Sequence, residues 1–405
     1  MNAEEGTRAP RPLRVMHFVA YYPPQRIGGV GELVAGLHEG LLRRGHDSQV
    51  VTSGSGSSGR VHRIARTRLG WLLGTLLWAR RAAACDVVHC QSGEAALVLL
   101  VSRLLRARRG RRARGVVTFH AGSRDIARAT SPYTLAGRRF SPRWAGRVSG
   151  LCRGLLHGLL NRLALRLADG CNAIARATAE AVAPGAGLAV IYNGVAAAEG
   201  SGAALHSHGA TLEAAGAGAP LSAELLFVGG PGPGKRALAL PFVLRDVRRR
   251  HPRARLCIAG FGWEEAPELR ALCQELAVLE AVECMGSQPR DALGPLYQSA
   301  RLLLVPSAYE GLPFVALESM LLGTPVVACR VGGLPEAITS GENGVLVQPD
   351  DPEALAAHCS ELLADPTRTA RMSAAGRDTV SRRFGLERCI DEHLDYYRAL
   401  AREET

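Results

Sequence analysis

Two series of short β-branched runs, each run followed by a Leu/Ala/Arg stretch of helical period, constrain this chain more than any other feature. In the first series Arg14–Val19 reads as a strand leading through a glycine-rich turn into a helix, Glu32–Arg44, which Gly45 ends. Gln49–Thr52, Val87–His89, Val116–His120, Cys171–Ile174 and Ala189–Tyr192 read as later strands. The second series reads as Ala223–Val228, Arg255–Ala259, Ala281–Cys284, Leu302–Val305 and Pro325–Ala328, with a helical tail after Asp350. Strands alternating with helices make an α/β fold with parallel sheets. Ala196–Pro220 separates the series, rich in Ala, Gly, Ser and Glu and without periodicity, as a flexible connection. The expected architecture is two Rossmann-like, doubly wound domains facing each other across a cleft, with nucleotide held at the C-terminal ends of the strands.

Length and composition agree with two domains. The 405 residues exceed what one core of ~250–300 residues supports, and 47% of them are hydrophobic. No signal peptide is evident, and apolar stretches such as Trp71–Trp78 and Ala95–Val101 fall well short of the ~18 residues that span a bilayer. A cytoplasmic protein is expected, at most peripheral at the inner face of a membrane. The ten cysteines are scattered, with no Cys-x-x-Cys pair and no His/Cys cluster at zinc spacing, so reduced, buried thiols are expected and a metal site is not.

The net charge of +12 is unevenly spread. Residues 1–190 carry 29 arginines against 10 acids, whereas the remainder carries 20 cations against 27 acids. Of the 49 basic residues, 48 are arginine and one is lysine, Lys235. On a solvated surface the two cations are nearly interchangeable. A compact ammonium acting as a point charge on phosphate is not replaced by a planar guanidinium, so Lys235 is either a chance survivor or a phosphate ligand.

The most specific segment is Pro306–Ala328, which reads as strand end, turn, helix, turn and strand. Gly311 and Pro313 place Glu310 on a loop at a helix N-terminus, with Leu312 and Phe314 beside it, and Glu318 follows within the helix. Two carboxylates so placed can accept hydrogen bonds from vicinal hydroxyls. The two acids alone would read as solvated helix charges; the whole segment is far more specific.

In this segment the chain resembles glycosyltransferase family 4, the retaining glycosyltransferases of the GT-B fold, and the resemblance covers nearly the whole sequence. Glu310 and Glu318 match the two acids of the family's E-x7-E motif, which implies contacts to the donor sugar and the nucleotide ribose respectively. Gly28, Gly29, Val30 and Gly31 match its glycine-rich loop, Asp86–His89 its hydrophobic-Asp-hydrophobic-His segment, and Thr118–His120 its Thr-x-His turn. Asn193–Val195 and Gly332–Glu336 match its Asn-Gly-Val and Gly-Gly-x-Pro-Glu segments. The implied layout is an acceptor-binding domain over 1–195, a connection over 196–220, a nucleotide-sugar domain over 221–385, and a C-terminal helix, 386–405, returning to the first domain.

Lys235 falls on the lysine of the family's diphosphate-binding Arg/Lys pair, in the turn Gly229–Arg236 that follows the strand Ala223–Val228. Gly230 occupies the arginine position, and Arg236 or the N–H groups of the glycine-rich turn are expected to compensate. The same turn satisfies most of a P-loop, but Arg236 stands where a Mg²⁺-binding hydroxyl belongs, and Pro231 and Pro233 remove N–H groups from the cradle. The nucleotide-hydrolase reading is accordingly weak.

Arg103, Arg106, Arg108, Arg109, Arg111, Arg112 and Arg114 form one basic cluster, and Arg138, Arg139, Arg143 and Arg147 with Trp144 a second. These read either as a solvated rim or as the face for an anionic acceptor, a phosphorylated lipid or a membrane surface. The helix Leu151–Leu167 reads as a packing helix. Nucleic acid is not an expected partner, because aromatics are only 5% and no recognition motif interleaves the arginines. His89, Arg138 and Arg139 are acceptor-side candidates, and His120 would approach the donor sugar.

The reading that follows is transfer of a hexose or N-acetylhexosamine from a nucleotide-diphosphate sugar, UDP-linked first and GDP-linked second, to a hydroxyl of a glycan, glycolipid or small molecule. Lys235, Glu310 and His120 would serve the reaction, with no metal and no cofactor, since the chain lacks an Asp-x-Asp motif. The alternatives are a nucleotide-sugar epimerase of the same fold and a non-catalytic sugar- or membrane-binding relative.

Overall fold

A computed structural model describes residues 11–23, 29–64, 68–91, 96–106, 113–122, 125–127, 131–140, 147–196 and 224–402. Residues 197–223, which take in all of the expected 196–220 connection but its first residue, lie outside the described residues, as do Gly28, Trp144 and the arginines at 108, 109, 111, 112 and 143.

The first sheet has seven strands, in the spatial order Val61–Arg63, Asp47–Thr52, Arg14–Val19, Val87–Gln91, Arg114–Phe119, Gly170–Ala173 and Ala189–Val190. Its first five strands pair in parallel. Their interior residues are almost wholly buried, Val15, Val50, Val87, Val88, Val116 and Val117 among them, as expected of strands covered on both faces. The C-terminal helix Leu386–Arg402 contributes Leu394, Tyr397 and Leu400 to one core cluster with Leu13, Val15, Leu41, Val87 and Val116.

The second sheet has six strands, all parallel, in the order Val282–Cys284, Leu256–Ala259, Leu225–Val228, Leu302–Val305, Val326–Cys329 and Val345–Val347. In chain order this is 3-2-1-4-5-6, the doubly wound arrangement. The winding direction reverses between Leu225–Val228 and Leu302–Val305, the place where such sheets open a crevice for ligand.

Two compact units are distinguished by packing. One comprises Met1–Thr118, Leu160–Asn172 and Ile390–Thr405, the other Phe119–Leu159 and Ala173–Cys389. The second unit therefore takes in a short antiparallel hairpin, Tyr133–Leu135 with Arg138–Phe140, which sequence reading did not anticipate. Tyr133 and Leu135 share a core with Ala239, Phe242 and Leu272.

Two local expectations are corrected. The first long helix runs Gly29–Arg43, three residues earlier than expected, so Gly29 and Gly31 form its opening turn rather than a loop. Gly31 must lack a side chain because a Cβ there would lie 2.7 Å from the Tyr21 carbonyl oxygen. The helix Arg147–Leu167 is not sealed by its leucines: Leu155, Leu156, Leu159 and Leu163 are exposed, and Gly154, Asn161 and Ala164 are buried instead. Small residues let that helix sit close to its neighbours and turn the long side chains outward.

Candidate active site

The site is built at the switch point of the second sheet. Leu225–Val228 ends in Gly229, whose φ of 158° lets the chain turn, and a 3-10 turn, Pro233–Lys235, follows. Leu302–Val305 ends in the loop that carries Glu310, and the helix Phe314–Leu322 begins behind it. The Ala308 N–H donates to the Gly234 carbonyl at 2.9 Å, which pins the two loops together.

This juxtaposition brings Lys235 Nζ within 2.7 Å of Glu310 Oε1. Ser307 Oγ donates to the same oxygen at 2.6 Å. The Glu310 side chain is only 9% exposed while that of Lys235 is 36% exposed, so a sheltered carboxylate holds a reachable ammonium. A charge-assisted bond of this kind is short and directional, and it positions the cation.

The Glu310 loop is held from several sides within its unit. Tyr309 donates its hydroxyl to the His120 carbonyl at 2.8 Å, and the buried Asn193 donates Nδ2 to the Leu312 carbonyl at 2.7 Å. Gly332, at φ 51°, passes so near that a Cβ would overlap the Glu310 carbonyl, and the Gly333 N–H donates to the Gly311 carbonyl at 2.6 Å. The Gly-Gly-x-Pro-Glu segment thus buttresses the Glu310 backbone. Its last residue, Glu336, accepts from the N–H groups of Arg176 and Ala177, both at 2.9 Å, and from the Tyr192 hydroxyl at 3.0 Å. Glu336 caps the helix Arg176–Val182 in place of a side chain at its own N-cap, Ala175.

Glu318 lies in the Phe314–Leu322 helix and accepts from Arg290 at 2.8 Å and from the Tyr297 hydroxyl at 3.2 Å. Burial, reinforced by the neighbouring carboxylate, raises the Tyr297 hydroxyl above its ordinary range, so it stays a donor to Glu318. Leu312 and Phe314 are buried and Pro313 is the helix N-cap. That helix has no side-chain cap and no acidic residue in its first turn.

Arg236 does not offer a second cation to this site. It is 2% exposed, its Nε donates to Asp350 at 2.9 Å, its Nη1 donates to the Pro233 carbonyl at 2.7 Å, and its guanidinium lies 3.4 Å from the centre of the Tyr133 ring. A guanidinium paired, hydrogen-bonded and stacked in this way is a structural element. It also holds the αL conformation, φ 54°, that ends the 3-10 turn. Gly230 is open: a Cβ there meets nothing within 4 Å.

The acceptor-side candidates fare differently. His89 is completely buried; Tyr397 bonds its Nδ1 at 2.7 Å and Thr118 its Nε2 at 2.7 Å, so the ring ties the C-terminal helix to the first sheet. Arg138 and Arg139 are exposed on the hairpin, and Arg138 is paired through both terminal nitrogens with Glu275. His120 contributes its carbonyl to the Glu310 loop. Gly29 and Gly31 belong to the other unit. Sequence reading missed Ser307, Arg290 and Tyr297, whose side chains hold the two glutamates. Ser307 lies inside the recognised segment, whereas nothing local marks the other two.

Known families match both halves of the chain. Residues 222–379 match the model described as "Glycosyl transferases group 1" and residues 27–199 that of "Glycosyltransferase Family 4". The chain belongs to glycosyltransferase family 4. Among similar proteins, a D-inositol 3-phosphate glycosyltransferase of Nocardiopsis dassonvillei is 37% identical over 142 residues, 35% of this chain and 33% of the relative. Another, from Segniliparus rotundus, is 37% identical over 186 residues, 45% of this chain and 41% of the relative. The matched region thus spans less than half the length of these relatives.

Solved structures extend the likeness over nearly the whole chain. Sucrose-phosphate synthase from Thermosynechococcus elongatus superposes with a TM-score of 0.74 at 21% identity, covering 96% of this chain and 99% of that one. Anabaena HepE in complex with UDP and glucose gives 0.70 at 19% identity, covering 96% and 100%. At such identities the likeness is one of fold, and the fold is GT-B, with two Rossmann-like parallel sheets. Among the described residues no group of three His, Cys, Asp or Glu is placed to hold a metal ion, and no helix is long and apolar enough to cross a membrane.

Proposed function

We propose that this chain transfers a hexose or N-acetylhexosamine from a nucleotide-diphosphate sugar, UDP-linked first and GDP-linked second, to a hydroxyl of a glycan, glycolipid or small molecule, with retention at the anomeric carbon. The observation that carries the reading is the 2.7 Å pair of Lys235 with the sheltered Glu310, at the sheet's switch point. Relatives named as D-inositol 3-phosphate glycosyltransferases, and a fold neighbour solved with UDP and glucose, support it.

Breaking the glycosidic bond to the donor leaves growing negative charge on the departing diphosphate. Lys235 is the cation to neutralise it, and Glu310 holds that ammonium in place. The open N-terminus of the Phe314–Leu322 helix adds backbone N–H groups to the same task. The N–H groups of Gly229, Lys235 and Arg236 are engaged by the Ala259, Gly232 and Pro233 carbonyls, and the prolines have none. Gly230, Gly232 and Gly234 are then the turn's donors to phosphate, in place of the cation expected at Gly230. Glu310 orients the sugar through its second oxygen, and Glu318 takes the ribose hydroxyls. The leaving phosphate itself helps deprotonate the acceptor, and neither metal nor cofactor enters. The basic amino-terminal half suits an anionic acceptor or an anionic surface.

A panel of nucleotide sugars, incubated with and without candidate acceptors, tests this reading. Acceptor-dependent release of nucleoside diphosphate supports transfer. An isomerised sugar with no release overturns it in favour of epimerisation.

A further inference from the structure

The leucines of the helix Arg147–Leu167 lie on its outer surface. Leu155 is 65% exposed, Leu156 58%, Leu159 62% and Leu163 40%. At 100° per residue Leu155, Leu159 and Leu163 form one row four residues apart, and Leu156 lies beside it. Arg162 and Arg166 are exposed on the same face, at the edge of the row and within it. Among the side chains of this helix whose burial is described, the buried ones are Gly154, Asn161 and Ala164, on the side opposite the row. Four large apolar side chains kept in water on one helical face cost free energy unless something covers them.

The charge around this face selects the occupant. The helix contains no acidic residue. Arg103 from the helix Ala96–Arg106 reaches the end of the leucine helix, donating to the Arg166 carbonyl at 3.1 Å, and so adds a third exposed cation beside Arg162 and Arg166. A second copy of this chain would bring the same cations against these. An apolar row studded with arginines fits a surface that is apolar beneath and negatively charged above.

We propose that this face docks on an anionic lipid bilayer, the leucines entering the acyl boundary and the arginines meeting the headgroups. The proposal deepens the reading of the basic half as facing an anionic partner, and it names the helix that makes the contact. None of the described helices is long and apolar enough to span the bilayer, and in this arrangement the helix lies in the interface, where arginine stems remain apolar and their heads stay wet.

The test is sedimentation of the purified full chain with vesicles, with neither donor nor acceptor present, so that its outcome is independent of glycosyl transfer. Vesicles of equimolar phosphatidylcholine and phosphatidylglycerol are compared with vesicles of phosphatidylcholine alone, at low and high salt. The wild type should partition at least about tenfold more strongly to the anionic vesicles, and less as salt rises. Leu155→Ser with Leu159→Ser should lower that partition about tenfold while leaving the melting temperature unchanged, because both side chains are exposed. Arg162→Gln with Arg166→Gln should lower it on anionic vesicles only. Absence of sedimentation, or equal sedimentation of the leucine variant, overturns the proposal. So does a dimer in light scattering that the leucine variant dissociates without changing vesicle binding, which would assign the face to a second copy.

Discussion

Acidification should loosen the first unit selectively, and His17 is the reason. It sits in the strand Arg14–Val19 with no exposed surface, and neither ring nitrogen has a hydrogen-bond partner among the described residues. Its ring lies 5.3 Å from that of His89. Burial, and then repulsion from His38 and His393, push its pKa from 6.5 down to about 3. The folded state therefore refuses a proton that the unfolded chain accepts. The stabilisation is fully present above pH 6.5 and is lost progressively as pH falls toward the folded value. At about pH 5 the loss from His17 is roughly 2 kcal/mol, from ~1.4 kcal/mol per unit over about 1.5 units. His38, also buried and lowered to about 4, adds to this, but by less than an independent group would because the two histidines repel. Against a total of ~5–15 kcal/mol, such a loss is measurable. Hydrogen exchange of the strands Val87–Gln91 and Arg114–Phe119, corrected for the intrinsic pH dependence, should show protection falling about 30-fold between neutral pH and about pH 5. His17→Leu should remove the His17 share of that fall. An equal fall in His17→Leu, or an equal fall in the strands Leu225–Val228 and Leu302–Val305, would refute the reasoning.

Other outcomes follow from the site itself. Gly230→Arg should be tolerated, since a Cβ there meets nothing within 4 Å, and should tighten nucleoside diphosphate binding about tenfold in calorimetry by restoring a second phosphate cation. Glu310→Gln should lower turnover with any accepted donor by ~10²-fold or more, since the Lys235 ammonium loses the carboxylate that aims it. Glu336→Gln should cost about 1–3 kcal/mol, because a carboxamide cannot accept from both backbone N–H groups of Arg176 and Ala177, and the midpoint of urea unfolding should fall accordingly. Treatment with a chelator should leave transfer unchanged.

Much of this molecule was legible in its residues because parallel α/β folds announce themselves locally. The buried strands Leu225–Val228, Leu302–Val305 and Val326–Cys329 are short β-branched or leucine runs bounded by turns, and the structure places them within a residue or two of the sequence reading. Glu310 was legible for the same reason, since Gly311, Pro313 and Gly323 punctuate the chain on either side of one helix. What sequence hides is the partner of a charge. Arg236 stood next to Lys235 and looked available, yet Asp350 and Tyr133, distant in the chain, claim it. His89 carried a motif and proved to be a packed ring clasped by Tyr397, some 300 residues later. The leucines of Arg147–Leu167 illustrate a related limit, since helical period shows that leucines share a face but not whether that face is covered.

The central claim is that Lys235 neutralises a departing nucleoside diphosphate beside Glu310. Turnover of Lys235→Ala, measured as acceptor-dependent release of nucleoside diphosphate and set against an unchanged melting temperature, tests it most directly. The account predicts a loss of ~10²–10³-fold in turnover, the usual effect of deleting one group that stabilises leaving charge. Near-normal turnover in a folded Lys235→Ala protein would contradict it.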